Sequence, residues 1–141
     1  MPTYTINGVL VALVYKGVIN GEGFEFWVVN TLLLRCNCFP TKRLVIVMDN
    51  ASFHHLERMQ SLFKAFSVKL VYLPPYSPDL NLIKEFFSEL KAFIRREWFN
   101  WLECLESFGY SFKSFLLWCI DEIGSKTKSA RGHFRSSGYS C

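Results

Sequence analysis

The sequence predicts a mixed α/β fold, on three observations. An Asn7-Gly8 pair divides the apolar stretch TYTINGVLVALVY into two short strands, and this dipeptide is the strongest short-range signal for a tight hairpin. Two continuous apolar runs, LVIVMD and VKLVYL, have the length and branched side chains of buried strands. Around them, apolar residues recur at helical spacing.

The elements follow in order. After the hairpin and KGVING, Phe24, Trp27, Val28, Thr31 and Leu32 place a helix over about residues 22–34. CNCFPTKR is a loop. Residues 44–49 form a strand whose last residue, Asp49, lies at the sheet edge. In NASFHHLERMQSLFKAF, Ser52 is the expected N-cap and Leu56, Met59, Phe63 and Phe66 form one apolar face. VKLVYL returns as a strand and runs into the proline-rich corner LPPYSPDLN. A helix over about 82–98 follows, with Ile83, Phe86, Phe87, Leu90 and Ile94 as its stripe, then a last helix over about 112–123. The remainder, GSKTKSARGHFRSSGYSC, reads as a basic, flexible tail. The expected organisation is one domain over 1–124 and a tail over 125–141.

Composition narrows the function classes. Of the 141 residues, 50% are hydrophobic and 17% aromatic, which excludes a disordered chain. The longest apolar stretch, FEFWVVNTLLL, is interrupted by Glu25 and Asn30, so no membrane span is expected. The N-terminus MPTYTING lacks a secretion pattern, which points to a nuclear or cytoplasmic protein. The five cysteines show only a C-x-C at Cys36 and Cys38, without a second pair at zinc spacing, and read as reduced thiols. A formal charge of +4 permits nucleic-acid contact without demanding it.

Chemistry in such sheets collects at the carboxyl ends of strands. Asp49 sits at one such end, and the corner at Pro74 begins at another. The strings VMDNASFHH and PPYSPDLN-x-I resemble those of the mariner-type DDE transposases, in their DDE endonuclease domain. The resemblance runs over about residues 4–139, and RGHFRSSGY is similar to the end of fungal members.

This resemblance implies a ribonuclease H-like fold, a mixed sheet flanked by helices. It also implies three carboxylates holding two Mg²⁺ or Mn²⁺ ions that cut and join DNA in transposition. Hard divalent ions require oxygen ligands, and a metal pair stabilises both the attacking and the leaving oxygen. Asp49 matches the second acid. The third is a glutamate in an Asn-Pro-Ile-Glu string that here reads Asn81-Leu82-Ile83-Lys84, so Lys84 occupies its place. With Asn81 as N-cap, Lys84 falls at the third helical position and faces the positive end of the dipole, at about 0.3–1 kcal/mol. An ammonium group cannot ligate a metal.

Glu85 is the substitute third acid, but it lies about 100° around the helix and about 1.5 Å further along. Its plain reading is a surface acid, pairing with Lys91 or solvated. Before Asp49 the only acids are Glu22 and Glu25. By the resemblance, the first aspartate belongs to a central strand upstream of the hairpin, so the chain is expected to be a truncated fold lacking that strand.

Each remaining feature has a plain reading beside the functional one. Asp49 is a metal ligand by ancestry or a helix cap. Asn50 and His54 belong to its loop, where His54 is an orienting or simply structural residue. Pro75, Tyr76, Ser77, Pro78, Asp79 and Asn81 build the corner, with Tyr76 packed over it and Asp79 either a third carboxylate near the site or, on its plain reading, part of the turn chemistry. Lys84, Lys91 and Arg95, with Arg96 beside them, form a basic stripe. It is either a solvated face or a contact for DNA phosphates, and Lys126, Lys128, Arg131 and Arg135 add to either reading.

Without a helix-turn-helix module, sequence-specific recognition is not expected. The leading expectation is therefore a catalytically disabled DDE domain with non-specific DNA contact. One alternative is an active nuclease using Glu85, with a first carboxylate from a partner or a longer transposase. Another is a non-catalytic module that forms homo-oligomers. No small-molecule substrate is expected.

Overall fold

The computed structural model describes residues 1–37, 45–49, 57–108 and 111–139. Its elements are β1 (Pro2–Thr5), β2 (Gly8–Ala12), α1 (Gly21–Trp27), β3 (Val45–Met48), α2 (Glu57–Ala65), β4 (Lys69–Tyr72), α3 (Ile83–Phe108), α4 (Phe112–Gly124) and α5 (Thr127–Ser136). The chain divides into two compact units. One comprises Met1–Val14 with Leu82–Cys141, the other Tyr15–Asn81. Among the described residues, no helix is long and apolar enough to cross a membrane.

In the first unit, β1 and β2 pair antiparallel with a bulge where the partner jumps from Thr3↔Val11 to Tyr4↔Val9, and the turn is Ile6-Asn7, one residue earlier than expected, because Gly8 already pairs with Thr5. The Thr5 hydroxyl stabilises the turn, accepting from the Asn7 N–H at 3.2 Å and donating to the Gly8 carbonyl at 2.9 Å. Gly8 has φ +111°, and a side chain there would run into the carbonyl of Gly124. Gly124 in turn leaves no room for a Cβ beside Val9. The hairpin therefore lies directly on the end of α4.

Helices α3 and α4 supply the core of this unit. Phe86, Leu90 and Phe93 from α3 meet Phe115, Cys119 and Ile123 from α4, and Tyr4, Val9, Ile83, Ile94 and Trp101 pack around them. Burying each phenylalanine contributes about 1.5–3 kcal/mol. Phe93 replaces Phe87 in the expected stripe, and Phe87 is partly exposed. Ser111 caps α4 by accepting from the Ser114 N–H at 3.2 Å. Helix α3 runs to Phe108, past the expected end near residue 98, because no glycine or proline interrupts the segment and Trp101 stacks on Phe115 at 4.9 Å. Residues 127–136, read from composition as a flexible tail, form α5 instead, with Ala130 fully buried.

In the second unit, Asn20 caps α1 by accepting from the Gly23 N–H at 2.9 Å. The helix continues through a wider turn at Val28–Leu32 and a tight one at Leu33–Arg35. Phe24, Trp27, Val28, Leu32 and Leu33 are its buried residues. Strands β3 and β4 pair in parallel, Val45↔Lys69 to Met48↔Tyr72, on either side of α2, which buries Met59 and Phe63.

Among the described residues β1 pairs with β2 and β3 with β4, each pair within its own unit. One expectation changes here. The β3 strand, expected to be buried on both faces, leaves Val45 44% and Val47 42% exposed. The expected N-cap Ser52 lies outside the described residues.

The Gly8–Gly124 contact generates a stability prediction. Gly8→Ala should destabilise the protein by about 1–3 kcal/mol from backbone strain alone, with the carbonyl clash adding to it. Urea denaturation of the variant should show a lowered midpoint at an unchanged slope.

Candidate functional site

Asp49 follows the last residue of β3 and is exposed. The Leu73 N–H bonds the Met48 carbonyl at 2.8 Å, extending the parallel pairing by one step. Asp49 and the start of the proline corner thus share the carboxyl edge of the β3–β4 sheet. Asn50 and His54 lie outside the described residues.

The corner takes the turn chemistry its residues predict. The Ser77 hydroxyl donates to the Pro75 carbonyl at 3.4 Å, and Pro78 opens a single tight turn, Pro78–Leu80, which carries Asp79. The Asn81 N–H closes it on the Pro78 carbonyl at 3.1 Å. Tyr76 differs from expectation. Its φ of +56° and 103% exposure turn the ring into solvent instead of over the corner.

At the start of α3 the Leu82 carbonyl accepts from the N–H groups of Glu85 and Phe86, at 3.2 and 3.5 Å. Leu82 is therefore the N-cap, one residue later than expected. Lys84 falls at the second helical position and Glu85 at the third, where a carboxylate interacts favourably with the dipole. Lys84 is exposed.

The expected Glu85–Lys91 pairing gives way to contacts with α5. The Ser136 hydroxyl donates to Glu85 Oε1, and Glu85 Oε2 lies 4.0 Å from His133 Nε2. One helical turn on, Glu89 accepts from Lys126 Nζ at 3.2 Å and the Ser129 hydroxyl at 3.3 Å, and faces His133 Nε2 at 3.7 Å. His133 Nδ1 lies 3.0 Å from the Tyr4 hydroxyl. A phenol donating to Nδ1 leaves the Nε2 proton directed at the two carboxylates. Tyr4 also stacks on Phe86 at 4.9 Å.

The basic stripe sorts itself. Lys84, Lys91 and Arg95 are exposed along one face of α3, about 100–140° of rotation from the Glu85–Glu89 edge. Arg96 is engaged locally, donating from Nε to Glu97 at 2.8 Å and lying 4.8 Å over the Phe93 ring. Its hydrogen bond, with a second from Asn100, holds the Glu97 carboxyl below its usual value.

Among the described residues, no group of three histidine, cysteine or acidic side chains could hold a metal ion. The chemistry of those present agrees: position 84 carries a cation, and the Glu85 carboxylate is hydrogen-bonded and faces an imidazole. They do not fit a two-metal site. Cys119 is fully buried, and burial, followed by the charge of Glu97, pushes its thiol up to about 11, which suits a packing role.

A family model for the DDE superfamily endonucleases matches residues 1–106, which takes in the hairpin, Asp49, the corner and most of α3. The chain belongs to the DDE superfamily endonucleases. Helices α4 and α5 lie beyond the matched residues of this endonuclease-family chain. No curated protein and no solved structure matches it.

Sequence reasoning missed Tyr4, Glu89, Ser129, His133 and Ser136. Their signal was present. Glu85 and Glu89 stand one turn apart, as do Ser129 and His133, with Ser136 three residues on. It becomes readable once residues 127–136 are taken as a helix.

Burial, then the charges of Glu89 and Glu85, push the Tyr4 phenol up to about 12. The unfolded chain releases this proton near pH 10, while the folded chain keeps it. Tyr4's contribution to stability is therefore full below pH 10 and is lost as pH rises towards 12. Tyr4→Phe should flatten that part of the alkaline stability profile. It should also remove a late-titrating step from the phenolate absorbance curve.

Proposed function

We propose that this chain is a mariner-type DDE endonuclease domain of ribonuclease H-like ancestry whose strand-cutting chemistry is disabled. Non-specific contact with DNA phosphates is the function it retains. The observation that carries this reading is the fate of the third acid. Lys84 stands in its place, and the neighbouring Glu85 is occupied by Ser136 and His133 of α5. Recruiting Glu85 for metal would require breaking those contacts, which weighs against the active-nuclease alternative. Asp49 remains the one matched carboxylate, and a single carboxylate holds Mg²⁺ only weakly.

DNA contact is supported by the exposed cations Lys84, Lys91 and Arg95, which need only reachable phosphates to bind without sequence preference. A second reading, a non-catalytic interaction module, is favoured by exposed aromatics on the first unit. Phe99 is 75% and Phe112 53% exposed, with Trp98 set edge-on against Phe112 at 5.9 Å. Under that reading, light scattering would find a mass that grows with concentration.

A supercoiled-plasmid nicking assay with Mg²⁺ or Mn²⁺ tests the main proposal. The wild type should show no metal-dependent nicking, and Asp49→Ala and Glu85→Gln should be indistinguishable from it. Metal-dependent cutting abolished by Asp49→Ala would overturn the reading.

A further inference from the structure

Helix α5 lies beyond the residues matched by the family model, and its two edges use charge differently. On the inner edge Ser129, His133 and Ser136, with Lys126 just ahead of the helix, turn to Glu85 and Glu89. Phe134 packs near Tyr4, with ring centroids 6.3 Å apart, and Ala130 is fully buried. On the outer edge Lys128, Arg131 and Arg135 are exposed, at spacings of three and four residues. Among the described residues, none of these three has an ion-pair partner. The segment TKSARGHFRS contains no acid at all.

That outer edge is unlike an ordinary solvated helix face. Solvated faces usually alternate charge sign, so that cations gain partners one turn away. Here two successive pairs, Lys128 with Arg131 and Arg131 with Arg135, set like charge against like charge at spacings where it repels. The acids that α5 does meet, Glu85 and Glu89 of α3, are held by its inner edge.

We propose that the outer edge of α5 is a contact surface for nucleic-acid phosphates, kept in register by the contacts of its inner edge with Glu85 and Glu89. This rests on the reading of the chain as a non-specific DNA-binding protein, and adds a second contact surface to the cations of α3. At about 1.5 Å per residue the three cations span about 10.5 Å. Phosphates recur along one DNA strand about every 3.4 Å of axis, so that length covers about three phosphate steps, within reach of three long side chains. Two are arginines, whose planar guanidinium groups suit phosphate oxygens. An anionic membrane fits less well, since a surface-lying helix presents apolar side chains beside its charges, and those of α5 are turned inward.

The test is fluorescence anisotropy with a labelled mixed-sequence duplex of about 20 base pairs, between about 50 and 200 mM salt. Each phosphate contact contributes about 0.9 to the slope of log affinity against log salt. The K128Q/R131Q/R135Q variant should therefore bind more weakly, with a slope shallower by about 2.7. A charge-matched control, K16Q/K64Q/K113Q, should keep the wild-type slope. All six side chains are exposed, so circular dichroism should show both variants folded. If the wild type binds and the α5 variant keeps its slope while K84Q/K91Q/R95Q loses it, this inference is overturned and DNA binding stands. If the wild type does not bind the duplex, both fall.

Discussion

Two carboxylates one helical turn apart, Glu85 and Glu89, set the arrangement of the first unit. They accept from Ser136, Ser129 and Lys126, and face His133, whose other nitrogen meets the Tyr4 hydroxyl. Through these contacts the hairpin, α3 and α5 are tied at one place. The ion pairs themselves contribute little energy, because exposed pairs are worth about 0–1 kcal/mol. The apolar contacts of Phe86 and Phe115, both fully buried, hold the unit together. What the polar network adds is register: it decides which edge of α5 faces inward and therefore which cations face out.

The same contacts give the acid in the first turn of α3 a structural use. A carboxylate at the third helical position is favoured by the dipole whether or not a metal is present. In this chain it has found protein donors. From the first turn of α3, Glu85 thus anchors α5 through Ser136 and His133.

Local signals were the most legible. The hairpin beside Asn7-Gly8, the start of α4, the strand that ends just before Asp49 and the Ser77-Pro78 turn all follow from residues close in sequence. Boundaries were less so. Helix α3 outran its expected end because the contact that sustains it, Trp101 against Phe115, lies in another helix. Helix α5 was hidden by glycine and serine, whose weak helix propensity is outweighed once Ala130 is buried. Tyr76 was expected to pack by its type alone, yet its backbone conformation turns it outward.

By itself the sequence determined the endonuclease family, the acid after the strand and the Lys84-Glu85 pair that opens the helix after the corner. These depend on the identity of residues at fixed places along the chain. Only the tertiary structure decided what Glu85 does, which lysine of the last segment is spent on Glu89, and which basic residues remain facing solvent. Those outcomes depend on pairings across more than thirty-five residues of chain, set by packing that no local pattern encodes.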